Sequence, residues 1–310
     1  MENTRAKTTR NSLILLLTAT IWGMAFVSQS KGMDYMHPFT FNGVRSLIGA
    51  AGILVYILIS RKIAGDKAAK LDWKLNAKAG LLCGIFLTIA STLQQFGIKY
   101  TSVGKAGFIT TLYIIFVPMF GIFLKKKVAP VVWAAAGMAA VGMYLLCMTE
   151  SLSLGAGDIM VFLCAIAFAI QIMTVDHYAA RINGAVVSCI QFTVCGVVCC
   201  IGALIWGQPT FGQLQEGLGA LLYAGVLSCG VGYTLQIVGQ KGLNPTVAAL
   251  IMSLESVIAT ISGWIAYKIG FLSTDQTLTP RQIAGCVIVF AAVILVQLPQ
   301  EWFRLGKKNA

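Results

Sequence analysis

Ten uninterrupted apolar runs, at 12–30, 39–60, 79–98, 102–123, 128–148, 155–175, 184–206, 217–239, 245–268 and 281–298, constrain this chain more than any other feature. Each is close to the roughly 20 residues that a helix needs to cross about 30 Å of hydrocarbon. The runs are continuous rather than alternating, so helices, not a barrel, must satisfy the backbone in lipid. A mean hydropathy of +0.81 and a charged fraction of 11% lie outside the range of soluble domains. The expected fold is an all-α polytopic membrane protein with ten transmembrane helices. The first run has a basic flank but is longer than a signal-peptide core and lacks a small-residue cleavage site, so it reads as a retained helix.

A net charge of +12 does not mark a nucleic-acid binder here, because the basic residues lie in connections rather than on a face with interleaved aromatics. They set topology. Arg5, Lys7, Arg10, Arg61, Lys62, Lys67, Lys70, Lys74, Lys78, Lys125 to Lys127, Arg181, Lys241, Arg304, Lys307 and Lys308 fall on one side; only Lys31, Lys99, Lys105, Lys268 and Arg281 fall on the other. That asymmetry places both termini, with tails 1–11 and 299–310, in the cytoplasm. The segment from Arg61 to Lys78 is expected to rest against anionic lipid headgroups. All nine cysteines lie in the apolar runs with no CxxC and no nearby His. They read as small buried side chains rather than metal ligands or a disulfide, and no cofactor is expected.

The stretch from Tyr233 to Trp264 repeats that from Ser91 to Ile122 without a gap. Thr92, Leu93, Gln94, Gly97, Lys99, Ala106, Ile109, Leu112 and Gly121 recur as Thr234, Leu235, Gln236, Gly239, Lys241, Ala248, Ile251, Leu254 and Gly263. Each copy reads as two helices joined by a tight turn, capped by Ser102 in the first and by Asn244-Pro245 in the second. A repeat unit of five helices, 12–148 and 155–298, is odd in number, so the second must enter the membrane upside down. Two such inverted repeats are the architecture of secondary transporters, whose substrate site lies near the midplane between the halves.

Glu255, deep in the ninth run, would cost several kcal/mol if ionised and unpaired in hydrocarbon. Proton coupling and binding of a cationic substrate group are the roles that this burial allows. A structural carboxylate bonded to a neighbouring hydroxyl or amide is the bland alternative. Tyr233, Gln236 and Gln240 share one helix face, with Ser91, Gln94 and Gln95 on the equivalent face of the first copy. These amides bind substrate or bond helix to helix, and repeat symmetry sets Gln94 opposite Gln236. Tyr113 stands where the second copy has Glu255, and Trp22, Tyr113 and Tyr233 could form an aromatic wall. Gln171 completes the candidates for substrate binding. Arg45, Asp176 and Gln191 are candidates for a structural or gating role: Arg45 either snorkels to the interface or serves the interior, and Asp176 sits at an interfacial helix end. Pro118 is expected to kink the fourth helix at the preceding turn. Ala136-Gly137 and Ala284-Gly285 are expected to bring the fifth and tenth helices together.

The Trp22-Gly23 pair, Tyr-Thr-Leu-Gln from Tyr233, the run from Asn244 to Val257, Gly263-Trp264 and the closing Leu-Thr-Pro-Arg-Gln-Ile-Ala-Gly resemble the EamA-domain branch of the drug/metabolite transporter superfamily. The resemblance covers nearly the whole chain as two EamA units. It implies ten helices with inverted halves around a central cavity, in the inner membrane of a bacterium, exporting metabolites, amino acids or toxic compounds. Two departures stand out. The Gly-Glu that many members carry after the fourth and ninth helices is absent at Leu124 to Lys127 and at Ala266 to Ile269, and Ser256 stands where many have proline, which weakens the case for a kink there.

An ATP-driven pump would need GxxxxGK[ST], and an intramembrane enzyme a nucleophile with its base or a metal motif; neither is present. A channel or a lipid scramblase would use the same polar interior and stays open as the alternative to a carrier. The expected partners are a small-molecule substrate, membrane lipids and protons. The sequence leaves substrate identity, and monomer against homodimer, undecided.

Overall fold

Backbone groups in an apolar run have no water to turn to, and they close on themselves as helices. The computed structural model describes residues 2–65, 71–124, 130–147, 155–273 and 276–297, and among these there is no strand. Ten apolar helices follow in chain order: α1 (Glu2–Gly32), α2 (Pro38–Ala64), α3 (Trp73–Ile98), α4 (Val103–Phe123), α5 (Pro130–Cys147), α6 (Ala156–Ala179), α7 (Gly184–Gly207), α8 (Leu218–Gly239), α9 (Pro245–Lys268) and α10 (Pro280–Gln297). Eight are long and apolar enough to cross a membrane; α5 and α10 have shorter apolar stretches, Pro130–Gly142 and Pro280–Leu295. α1 already begins at Glu2, so residues 2–11 are helical and continuous with the first apolar run. Lys67, Lys70, Lys125 to Lys127 and the tail 299–310 lie outside the described residues.

Helix starts follow local chemistry. Asp72, Ser102 and Asn183 each accept from a backbone N–H three residues on, and Asn244 from that of Thr246. Asp72 explains why α3 starts at Trp73, six residues before the apolar run. His37 caps α2 ahead of Pro38, its Nδ1 accepting from Phe39 N at 3.3 Å. Burial, and then Lys99, hold the His37 imidazole below its ordinary 6.5, so the neutral ring that caps is the stable form. The stability from the neutral ring is present above about pH 6.5 and is lost as pH falls through the lowered folded value. His37→Asn, which caps without titrating, is expected to narrow the fall in Tm between about pH 7.5 and about pH 5.5.

α4 and α9 each break in the middle, at Leu112 and Ser253. The expected kink at the turn before Pro118 is not where α4 breaks: Pro118 lies inside the regular segment Tyr113–Phe123. A hydroxyl stands at each break. Thr111 Oγ1 donates to Phe108 O at 2.8 Å, and Ser253 Oγ, at the equivalent position of the repeat, to Leu250 O at 2.7 Å. A side chain that takes up a backbone carbonyl competes with the helix and bends it. α9 therefore breaks without any proline, where Ser256 had weakened that expectation. α8 is π-helical over Tyr223–Gly232, a form that concentrates at functional sites.

The outside of the molecule is apolar, and its polar side chains are gathered inside among the apolar core. Leu54, Val55, Tyr56, Leu58, Leu204, Trp206, Val287 and Phe290 are exposed, while Asn42, Arg45, Gln95, Gln171, Gln191, Gln236 and Glu255 are buried. That inversion fits hydrocarbon, not water, as the solvent. α5 and α10 pack closely, but the approach runs through Gly142, where a Cβ would lie 2.9 Å from Gly285 O, while Gly137 faces open space. Two further close approaches mirror each other. A Cβ on Gly97 of α3 would press on Val161 and lie 2.8 Å from Gly157 O of α6, and one on Gly239 of α8 would lie 2.8 Å from Leu15 Cδ2 of α1.

Candidate functional site

α1, α2, α3, α4, α6, α8 and α9 enclose a cavity whose lining includes Trp22, Arg45, Gln94, Tyr113, Gln171, Tyr233, Gln236 and Glu255. It measures about 30 Å³, room for a water or two. Every substrate-binding candidate of the sequence except Gln95 lies on it. Gln95 is fully buried and donates to Gln29 O at 3.2 Å, tying α3 to α1.

The break in α9 sets Glu255 in the first turn of Leu254–Lys268, 3% exposed. Tyr113 Oη donates to Glu255 Oε1 at 3.0 Å. These two residues stand 142 positions apart, the offset of the repeat. Trp22 and Tyr233 meet with ring centroids 4.5 Å apart, and Phe192 braces Tyr233 edge-on at 5.0 Å. Trp22 Nε1 and Gln29 Oε1 are buried without a hydrogen-bond partner among the described residues. Both residues line the cavity.

Gln94 and Gln236 do not face each other as bonded partners. Gln94 donates to Thr110 at 3.2 Å, while Gln236 and Gln171 exchange bonds at 3.2 and 3.4 Å. Each amide is satisfied within its own half. The shared helix faces also divide: Gln240 turns to Ile172 O, and Ser91 accepts from Asn42 Nδ2 at 3.1 Å.

Arg45 is 5% exposed and turned inward rather than snorkelling. Its Nε donates to Asn42 Oδ1 at 3.0 Å, and its guanidinium lies 5.5 Å over the Phe41 ring. Asn42 is held in turn by Ser91 and by Cys199 Sγ at 3.2 Å, so Cys195 and Cys199 belong to a polar network and are more than small apolar fillers. Asp176, half-buried near the end of α6, and Gln191, fully buried in α7, are not on the cavity. Both amide atoms of Gln191 lack a partner among the described residues.

Contacts between helices flank the cavity towards both ends of the bundle. At the α3–α4 turn, Lys105 Nζ pairs with Asp158 Oδ2 at 2.6 Å, and Thr101 donates to Asp158 Oδ1 at 2.9 Å. At the α8–α9 turn, Asn11 Nδ2 donates to Lys241 O at 2.7 Å, and Lys241 Nζ to Ile182 O at 3.2 Å. Sequence reasoning missed Asp158, and it missed Phe168 and Ile172 on the cavity wall. A second offset would have found the last two: 146 positions carry Trp22 to Phe168 and Phe26 to Ile172, as they carry Leu15 to Val161. The residue types differ too much for identity matching to reveal it.

Comparison with known proteins bears on the family and the fold. A relative from Archaeoglobus fulgidus, named an uncharacterized transporter, is 28% identical over 92% of this chain and 84% of its own length. Uncharacterized transporter YwfM of Bacillus subtilis (strain 168) is 24% identical over 92% of this chain and 93% of its own. One crystal structure shares the fold, with a TM-score of 0.73 at 16% identity over 96% of this chain and 99% of the other. The model of the EamA-like transporter family matches twice, at residues 10–148 and 155–298. This multi-pass membrane protein therefore belongs to the EamA-like transporter family.

Proposed function

We propose that this protein is a secondary active transporter that exports a small zwitterionic metabolite, of the amino-acid kind, by alternating access. In this reading all ten helices span the membrane as two inverted halves, 12–148 and 155–298, with both termini in the cytoplasm and the protein in the inner membrane of a bacterium.

The observation that carries it is the Tyr113–Glu255 hydrogen bond inside the cavity. Equivalent positions of two units related by a twofold rotation can touch only at the axis, so the bond supports a cavity on the axis between the halves, where secondary transporters bind substrate. The mirrored approaches of Gly97 and Gly239 and the twofold family match support the same symmetry. A cavity of about 30 Å³ is too small for a metabolite, so occupation requires the halves to move; a standing pore would not need this, which favours a carrier over a channel or scramblase.

Glu255 and Arg45 supply one acid and one cation to the same cavity, which Trp22 and Tyr233 also line. That combination suits an ammonium and a carboxylate on one small molecule, and Glu255 can also load a proton when the ligand is absent. The test is a thermal-shift screen of amino acids on purified protein, followed by counterflow in proteoliposomes. A carrier gives counterflow and a channel does not. Analogues lacking either the amino or the carboxylate group are expected to bind about tenfold to a hundredfold more weakly. Equal binding of both analogues would exclude the zwitterion.

A further inference from the structure

A second concavity, of about 530 Å³, lies at the end of the bundle that carries the start of α1. α2 forms one wall with Tyr56, Ile57, Ser60 and Arg61, and α8 the other with Thr234 and Val238; the base is the α6–α7 turn and the start of α7, with Arg181, Asn183 and Val186. The crevice exists because α2 and α8 touch higher up and then part. Gly49 lets them meet, since a Cβ there would be 2.7 Å from Cys229 Cβ and 2.9 Å from Gly225 O. The contacts of α2 with α8 run through Tyr223–Gly232 and hardly reach Tyr233–Gly239.

The lining divides by polarity. Ile57, Ala185, Val186 and Val238 offer apolar surface along the helices, and Tyr56, 62% exposed, stands at the lipid-facing edge. Arg61, Arg181 and Lys241 converge on the polar part. Among the described residues none of the three belongs to an ion pair. Among the described residues the lining has one carboxylate, Asp72, which is engaged in capping α3 through Leu75 N at 2.9 Å. Lys241 is half-buried and held below the ordinary lysine value, first by that burial and then by Lys7.

We infer that this crevice is a binding site for the phosphate headgroup of an anionic phospholipid, with Arg61, Arg181 and Lys241 around the phosphate and an acyl chain lying between α2 and α8. The ligand chemistry is a phosphate monoanion or diester. The apolar walls, with exposed Tyr56 at their edge, favour lipid over a phosphate from solution, because a soluble anion has no use for them. The site is separate from the central cavity, with which it shares no lining residue.

The test measures thermal stabilisation of the detergent-purified protein by phosphatidylglycerol, with phosphatidylcholine and inorganic phosphate as parallel arms. Phosphatidylglycerol alone is expected to stabilise the wild type. The variant R61Q/R181Q/K241Q is expected to bind it on the order of a hundredfold more weakly, about fivefold for each charge removed. The variant K62Q/K74Q/K78Q removes three exposed charges from the same end and is expected to respond like the wild type. If the crevice triple does not fold, the single variants R61Q and R181Q, with retained lipid counted by native mass spectrometry, give the same comparison. Equal stabilisation by inorganic phosphate would replace the lipid with a soluble anion. An equal response to phosphatidylcholine, or an equal loss in the K62Q/K74Q/K78Q control, would remove the site.

Discussion

Glu255→Gln is expected to lower proton-driven uptake in proteoliposomes by at least about tenfold, and to flatten its pH dependence, while exchange of substrate for substrate persists. The substitution keeps the shape of the side chain and an oxygen to accept from Tyr113 Oη, now 3.0 Å away, so the protein should fold. What it removes is the capacity to gain and lose a proton at the centre of the cavity. Exchange needs only a loaded carrier that reorients, whereas concentrative transport needs a group that reorients with a proton in place of substrate. A carboxylate enclosed to 3% exposure and bonded to a phenol is a poor packing element, since a buried acid is retained at a cost that an apolar residue of similar size would avoid. Wild-type concentrative uptake and an unchanged pH profile in the variant would end the coupling role.

The two mirrored glycines give the second large effect. Gly97→Leu and Gly239→Leu each drive a side chain into a neighbouring helix, where the Cβ alone would lie 2.8 Å from Gly157 O or from Leu15 Cδ2. Overpacking of this kind costs about 1–3 kcal/mol or more, and Tm in detergent should fall by several degrees for both. The local consequences should be opposite. Gly97→Leu is expected to raise hydrogen exchange around the α3–α4 turn and the start of α6, and Gly239→Leu around the α8–α9 turn and the start of α1. Enhanced exchange at the same end in both variants would contradict two separate closures.

How much of this was legible in the sequence depends on what fixes each feature. The helices were legible because lipid allows few other states for an apolar run, and their starts because Ser102 and Asn244-Pro245 act within a single turn. The cavity wall was legible where the two copies share a residue type, as at Gln94 and Gln236, and where the identities around them fix the register, as at Tyr113 and Glu255. It was hidden where equivalent positions carry Trp22 and Phe168, which share a place and not a side chain. Orientation was the other blind spot. Arg45 could have pointed to either environment on hydropathy alone; Asn42, one turn earlier and anchored on α3 and α7, turns it inward. Asp158 sat at the edge of an apolar run, and its partner Lys105 comes from a turn 53 residues earlier. Nothing local announces such a pair.

A bend imposed by a proline ring is permanent, but one made by a borrowed carbonyl is reversible. In α9 the Ser253 hydroxyl holds Leu250 O, and giving it back costs on the order of 1 kcal/mol, well within thermal reach. α9 can therefore straighten and bend again without breaking anything it must rebuild elsewhere, whereas α4 carries Pro118 six residues beyond its own bend. Glu255 lies two residues past that bend, so its carboxylate rides on a segment whose direction a single hydroxyl helps to set.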